Sequence, residues 1–299
     1  MTKVLEIKHL KKDYGKLSAV QNLSLTVEKG NIYGLLGPNG SGKSTTLGII
    51  LNVVNPTSGE WKWFNEGTST QLLKRIGAII ERPNFYPYLS AEKNLEIVAK
   101  IKEVPMHKID EKLELVGLLS RKNDAFKTFS LGMKQRLAIA GALLNDPEVL
   151  ILDEPTNGLD PQGIIQIREL ILKIAAGGTT IILASHLLDE VEKVCSHVVI
   201  LEKGKTIYCG SVNDMQASDG FVELASANID QLLEVAKNLS YFSNCIKEND
   251  LVKGYLKEDI DANAINQAFF DQGIVLSHLA KRKDTLEQQF LQMTFNDRA

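Results

Sequence analysis

Cysteine is scarce in this chain: Cys195, Cys209 and Cys245 are its only three, far apart and without the spacing of metal ligands. An odd, scattered set excludes a disulfide framework and fits ordinary packing in a reducing compartment. Excess charge is also missing, with 34 Lys and Arg against 37 Asp and Glu, a net charge of −3 and a pI near 6.0. That balance argues against a protein that grips nucleic acid through its phosphates, so no nucleic-acid partner is expected. No apolar run approaches the ~20 residues that span a bilayer. The opening residues, Met1-Thr2-Lys3-Val4-Leu5-Glu6, carry no signal-peptide core. If the protein works at a membrane, another chain crosses it. Within 299 residues, 44% hydrophobic and 24% charged content is ordinary for a soluble protein, and the length allows two domains with a substantial core.

What is present is concentrated in one stretch, Gly37-Pro38-Asn39-Gly40-Ser41-Gly42-Lys43-Ser44. It fits the phosphate-loop pattern G-x-x-x-x-G-K-[ST], and Ile32-Tyr33-Gly34-Leu35-Leu36 before it reads as the buried strand that the pattern requires. Thr45 to Leu51 continues as the first turns of a helix. Glycines let the backbone curl until several N–H groups face one anion, and the helix N-terminus adds partial positive charge. Lys43 adds a full charge, and the Ser44 hydroxyl suits a magnesium ion. The stretch predicts binding of a nucleoside triphosphate.

Hydrolysis requires a second site. Val149-Leu150-Ile151-Leu152-Asp153-Glu154 is an apolar run of strand length ending in two acids. Neighbouring side chains on a strand point to opposite faces, yet near its end both reach a metal–phosphate centre. Asp153 suits the Mg2+ shell, and Glu154 suits polarising the attacking water.

Around these motifs, short strands at Val4–Ile7 and Leu23–Val27 are separated by a turn near Asp13–Lys16. A turn cluster at Asn55–Glu60 precedes a short strand at Trp61–Phe64, and Trp61, Trp63 and Phe64 read as strand packing. Another strand spans Arg75–Ile80. From about Ser90 to Asn145 the pattern is helical, with Ser90-Ala91-Glu92-Lys93 as an N-cap. Strands and helices then alternate over 149–153, 163–175, 179–184, 187–195 and 197–201, which implies a mainly parallel sheet covered on both faces. Gly204-Lys205 and Gly210-Ser211 mark a hairpin and a boundary. Beyond it the order β-α-β-β-α-β is that of a ferredoxin-like module, followed by an amphipathic helix at Thr285–Met293.

Phe129-Ser130-Leu131-Gly132-Met133-Lys134-Gln135-Arg136 lies between the two nucleotide motifs, and Asn157-Gly158-Leu159-Asp160 and Ala184-Ser185-His186 follow them. In that order they resemble the signature, D-loop and switch histidine of an ATP-binding cassette (ABC) transporter ATPase, over residues 1 to about 210. The resemblance implies an α/β P-loop NTPase cassette with a mainly parallel core sheet, an N-terminal antiparallel β subdomain and a helical subdomain at about 82–146. Residues 211–299 then form the small C-terminal α+β, ferredoxin-like accessory domain. It also implies ATP and Mg2+ as cofactors, with Ser44, Asp153 and Glu81 near the metal. Gly37 to Thr45 would hold the phosphates and Tyr14 would stack on adenine. Ser130, Gly132 and Asp160 would act from the facing cassette of a homodimer, or of a heterodimer with a second ABC ATPase. Glu154 and His186 would be catalytic. The partners implied are integral membrane permease subunits, and the location is cytoplasmic, peripheral on the inner face of the cell membrane.

Two departures from the family pattern point within it. The signature usually reads L-S-G-G-Q, and here Phe129, Leu131 and Met133 replace its first, third and fifth residues. Glu81 stands where the family places a glutamine. With Glu81-Arg82-Pro83-Asn84-Phe85-Tyr86-Pro87 and the ending Leu286-Glu287-Gln288-Gln289-Phe290-Leu291, these are similar to the ATPases of bacitracin-resistance and lantibiotic self-immunity exporters. The stretch Arg82–Leu89, with its aromatic residues held between prolines, is expected to dock the membrane subunit. The competing reading is a soluble ABC-type ATP switch acting in DNA repair or on the ribosome. Such cassettes usually carry coiled-coil insertions or two cassettes in one chain, and neither is present.

Overall fold

The computed structural model describes residues 2–81, 83–215, 220–283 and 285–290. Arg82 and residues 291–293 of the expected last helix lie outside them. The chain divides into two compact units, Met1–Ser211 and Val212–Ala299.

The first unit opens with β1 (Lys3–Tyr14) and β2 (Leu17–Glu28), antiparallel partners joined at Gly15-Lys16. Each runs well beyond the short strand that its apolar alternation predicts, because pairing recruits the polar flanks. Register shifts interrupt the ladder beside His9 and Asn22, whose φ values of +49° and +58° mark local bulges. There follow β3 (Ile32–Leu36), α1 (Lys43–Ile50), β4 (Ser58–Trp63), α2 (Thr70–Leu73) and β5 (Ile76–Ile79). The helical stretch holds α3 (Ala91–Lys102), α4 (Lys108–Leu115), two 3-10 turns and α5 (Leu131–Leu143). Ser90 caps α3 through a bond from the Lys93 N–H, as its position predicts. The alternating part is β6 (Val149–Asp153), α6 (Pro161–Ala176), β7 (Thr180–Ser185), α7 (Leu188–Val194), β8 (His197–Glu202) and β9 (Lys205–Ser211).

These strands make one nine-stranded sheet in the order β4-β1-β2-β9-β8-β3-β7-β6-β5. From β8 to β5 every pairing is parallel, and β1, β2 and β4 form the antiparallel part. β3, β6 and β7 are buried along their whole length, as expected of central strands covered on both faces. Trp63 is fully buried in the core beneath α1, and its indole N–H donates to the Ile50 carbonyl (2.8 Å).

The second unit begins with α8 (Val212–Met215) and continues β10 (Phe221–Ser226), α9 (Ile229–Asn238), β11 (Phe242–Glu248), β12 (Leu251–Leu256), α10 (Ala262–Asp271) and β13 (Leu276–Arg282). Its sheet is antiparallel throughout, in the order β11-β12-β10-β13. Leu232 and Ala236 of α9 and Ile265 and Phe269 of α10 join Val222, Leu224 and Val252 in its core. The expected ferredoxin-like order is thus realised, and residues 286–290 are helical.

Candidate nucleotide site

β3 delivers the chain into a loop that only glycine can complete at two positions. Gly37 (φ +149°) and Gly42 (φ +109°) both lie where L side chains are strained. A Cβ at Gly37 would strike the Leu201 carbonyl and Ser41, and one at Gly42 would strike the Ala19 carbonyl. Gly42 is also the N-cap of α1 and has no side chain to satisfy the first free N–H groups. Those donors stay available to an anion. Lys43 is 5% exposed, and its ammonium donates to the Gly37 carbonyl (2.7 Å).

Across from the loop, β6 ends in the two acids. Asp153 is buried, and burial raises its carboxyl above the ordinary value. The Ser44 hydroxyl and Lys43 work against that rise, while Glu154 and Glu81 add to it. Its Oδ1 is buried without a hydrogen-bond partner. Glu154 leaves the strand in a left-handed conformation (φ +49°), which turns its side chain towards the loop. One oxygen lies 3.4 Å from the Lys43 ammonium, and the other lies 2.8 Å from His186 Nδ1 at the end of β7. The start of α1 and the ends of β6 and β7 therefore bring a cation, a carboxylate and an imidazole into one row. The unsatisfied Asp153 oxygen beside the Ser44 hydroxyl is a fitting donor pair for a hard divalent cation that shares its shell with phosphates. Among the described residues, no group of three or more His, Cys, Asp and Glu forms a protein-only metal cage.

A cleft of about 960 Å³ joins these groups. Tyr14, Asn39, Gly40, Gly42, Lys43, Ser44, Thr45, Glu81, Asp153 and Glu154 all line it. Gly37, Pro38 and Ser41 form the loop beneath, and His186 reaches the cleft through Glu154. Ser130, Gly132 and Asp160 line a different cleft, of about 310 Å³. Ser130 accepts from the Met133 N–H (3.3 Å) and caps α5, while Asp160 accepts from the Gly163 N–H (2.9 Å) and caps α6. Leu131, Gln135 and Gly158 of the signature and D-loop stretches also line the larger cleft, as do Leu17 and Ala19, which no motif marks. An alanine and an exposed leucine carry no chemical signal, and only the β1–β2 hairpin brings them beside Tyr14.

Residues 83–89 do not present their aromatics alike. The Phe85 ring packs edge-on against Phe126, with centroids 5.3 Å apart, and approaches Gly141. Tyr86 and Tyr88 are 61% and 80% exposed. Asn94 holds the segment by accepting from the Tyr86 N–H and donating to the Tyr86 and Leu89 carbonyls.

The family described as ABC transporter matches residues 20–157. The chain is 36% identical to the bacitracin transport ATP-binding protein BcrA of Bacillus licheniformis, over 98% of each chain. It is 44% identical to the lantibiotic transport ATP-binding protein SrtF of Streptococcus pyogenes, over 70% of this chain and 93% of that one. Among solved structures it resembles the dimeric post-hydrolysis state of the ATP-binding cassette MJ0796 bound to ADP and Pi. The TM-score is 0.62 at 28% identity, covering 70% of this chain and 98% of that one.

Proposed function

This chain belongs to the ATP-binding proteins of ABC transporters, and on that premise we propose that it powers export of a lantibiotic or other peptide antibiotic, conferring immunity or resistance. It is an ATPase of the exporter class. Among its described residues no helix is long and apolar enough to cross a membrane. In our reading it works from the cytoplasmic face against integral membrane permease subunits, as its membership among transport ATP-binding proteins supports. The antibiotic class is supported by the bacitracin and lantibiotic relatives, with the former matching along nearly the whole chain.

The observation that carries the enzymatic reading is the row Lys43–Glu154–His186, drawn from the start of α1 and the ends of β6 and β7. Loop N–H groups and Lys43 hold the phosphates and offset charge on the transferring phosphoryl group. Bound Mg2+, held by Ser44 and Asp153 with Glu81 beside them, would supply further charge neutralisation at the phosphate oxygens. Glu154 polarises the water, and His186 orients Glu154 through the 2.8 Å contact. Tyr14 offers its exposed ring to adenine at the rim. Ser130 and Gly132 line the smaller cleft, which borders the larger one at Leu131 and Gly158, and we read them as acting on ATP held by a second cassette. The MJ0796 dimer with ADP and Pi supports the same arrangement.

Glu154→Gln tests the reading. ATP binding should persist, turnover should fall by at least about 100-fold, and an ATP-bound dimer should accumulate on gel filtration. Wild-type hydrolysis in this variant would remove Glu154 from the mechanism. For the substrate class, the chain and its membrane subunits in proteoliposomes should hydrolyse ATP faster with peptide antibiotics than with unrelated amphiphiles.

A further inference from the structure

Lys102, the last residue of α3, directs its ammonium at the far end of α5. Nζ donates to the Gly141 carbonyl (3.1 Å), the Ala142 carbonyl (3.0 Å) and Asn145 Oδ1 (2.8 Å). The two carbonyls lie in the last turn of α5, at the negative end of its dipole, where a cation is favoured. Asn145 in turn donates to the Lys74 carbonyl in the turn before β5. The opposite end of α5 is the Ser130 cap, followed by Gly132. A 13-residue helix is about 20 Å long and moves as one body, so a hold on its last turn sets its first.

Lys102 also lines a groove of about 540 Å³ with Leu73, Ile101, Val104 and Pro105. The charged groups facing it there are Lys74, Glu103, Lys108 and Asp146. Glu103 pairs with Lys74 (3.2 Å) and Asp146 with Lys108 and Lys112 (2.6 Å each). Among the described residues no carboxylate pairs with Lys102, so its three acceptors are all neutral oxygens.

We propose that Lys102 is a positioning residue for ATP-driven assembly: from the groove it sets α5, so that Ser130 and Gly132 meet the ATP held by the facing cassette. The proposal rests on the two-cassette reading given above. Burial lowers the Lys102 ammonium to about 8. Losing one proton leaves two donors for three acceptors and turns a lone pair towards one of them. The hold on α5 therefore weakens as pH rises through about 8. Global stability moves the other way. A lysine held below its unfolded value of 10.5 binds fewer protons when folded, so its contribution rises from about pH 8 to about 10.5. Simple loosening of the fold would not lower assembly while sparing stability.

The test uses the full chain carrying Glu154→Gln, so that hydrolysis does not empty the site. ATP-dependent dimerisation is measured by analytical ultracentrifugation from about pH 7 to about pH 9.5, with ADP affinity and the thermal midpoint alongside. Dimerisation of the parent should weaken about five- to tenfold across pH 8 while ADP affinity holds. Lys102→Met should show the weakened value at every pH. Lys102→Arg should restore assembly and flatten the profile, because guanidinium keeps its proton. A parent that never dimerises with ATP overturns the two-cassette reading and this proposal with it. A parent that dimerises identically at both pH extremes, or an Arg variant that keeps the parent's pH profile, overturns the role of Lys102 alone. The pH series on the parent needs no folded variant.

Discussion

Phe85→Ala should destabilise the protein, whereas Tyr86→Ala and Tyr88→Ala should leave stability intact and loosen the membrane complex. The sequence puts the three rings in one segment, and the structure separates them. Truncating a fully buried Phe costs about 3–5 kcal/mol. Phe85 is half-buried, which brings the cost to about 2 kcal/mol, and its edge-on contact with Phe126 adds about 0.5–1.5. A total of about 2.5–3.5 kcal/mol at about 2–4 °C per kcal/mol predicts a midpoint lowered by about 5–14 °C. Tyr86 and Tyr88, mostly in solvent, should shift it by no more than about 2 °C. Thermal unfolding followed by near-UV circular dichroism measures the first effect, and co-purification with the membrane subunit measures the second. A Phe85 variant that melts with the wild type, or tyrosine variants that melt as low as it does, would refute the packing argument. Unchanged complex yield for the double tyrosine variant would sink the docking surface.

Glu81 faces the cleft with a charge that a glutamine would lack, so Glu81→Gln should keep basal hydrolysis within about threefold, flatten the Mg2+ dependence of ATP binding and weaken transport; identical Mg2+ titrations would dismiss that role. Ending the chain after Ser211 should leave a folded, nucleotide-binding ATPase, since every phosphate-handling motif lies before that point; an insoluble fragment would show the second unit to be part of the fold. Burial opposes ionisation of Asp146, yet the Lys108 and Lys112 ammoniums outweigh it and hold the carboxyl below its ordinary 3.8. Its folded value thus lies below the unfolded one, so its contribution is present above about pH 4 and lost as pH falls through the folded value. Asp146→Asn should flatten that acid limb in a midpoint-versus-pH series.

The phosphate loop, the acid pair and the helix caps were legible because each is local. Gly37, Gly42 and Ser90 act on backbone within a few residues of themselves, and residue type at fixed spacing suffices to announce them. Strand lengths were less legible. β1 extends through Lys8-His9 and Lys11-Lys12, and β2 through Ser18 and Gln21-Asn22, polar stretches recruited by partners and not by their own alternation. The inward turn of Phe85 and the burial of Lys102 were hidden for the same reason. Each depends on α5, whose approach is set by tertiary packing.

The nine-stranded sheet contains a seam. β2 meets β9 at one paired position, Gln21↔Lys205, reinforced by Gln21 bonds to the Gly204 and Lys203 carbonyls. The cleft straddles that seam, with Tyr14, Leu17 and Ala19 on the antiparallel side and the phosphate loop on the other. A nucleotide seated there is a staple, with its base on one leaf and its phosphates on the other. Pyrophosphate would fill the loop without joining the leaves. ADP should accordingly slow amide exchange across β1 and β2 where pyrophosphate does not, and the energy of adenine recognition would be stored as stiffness of the sheet itself.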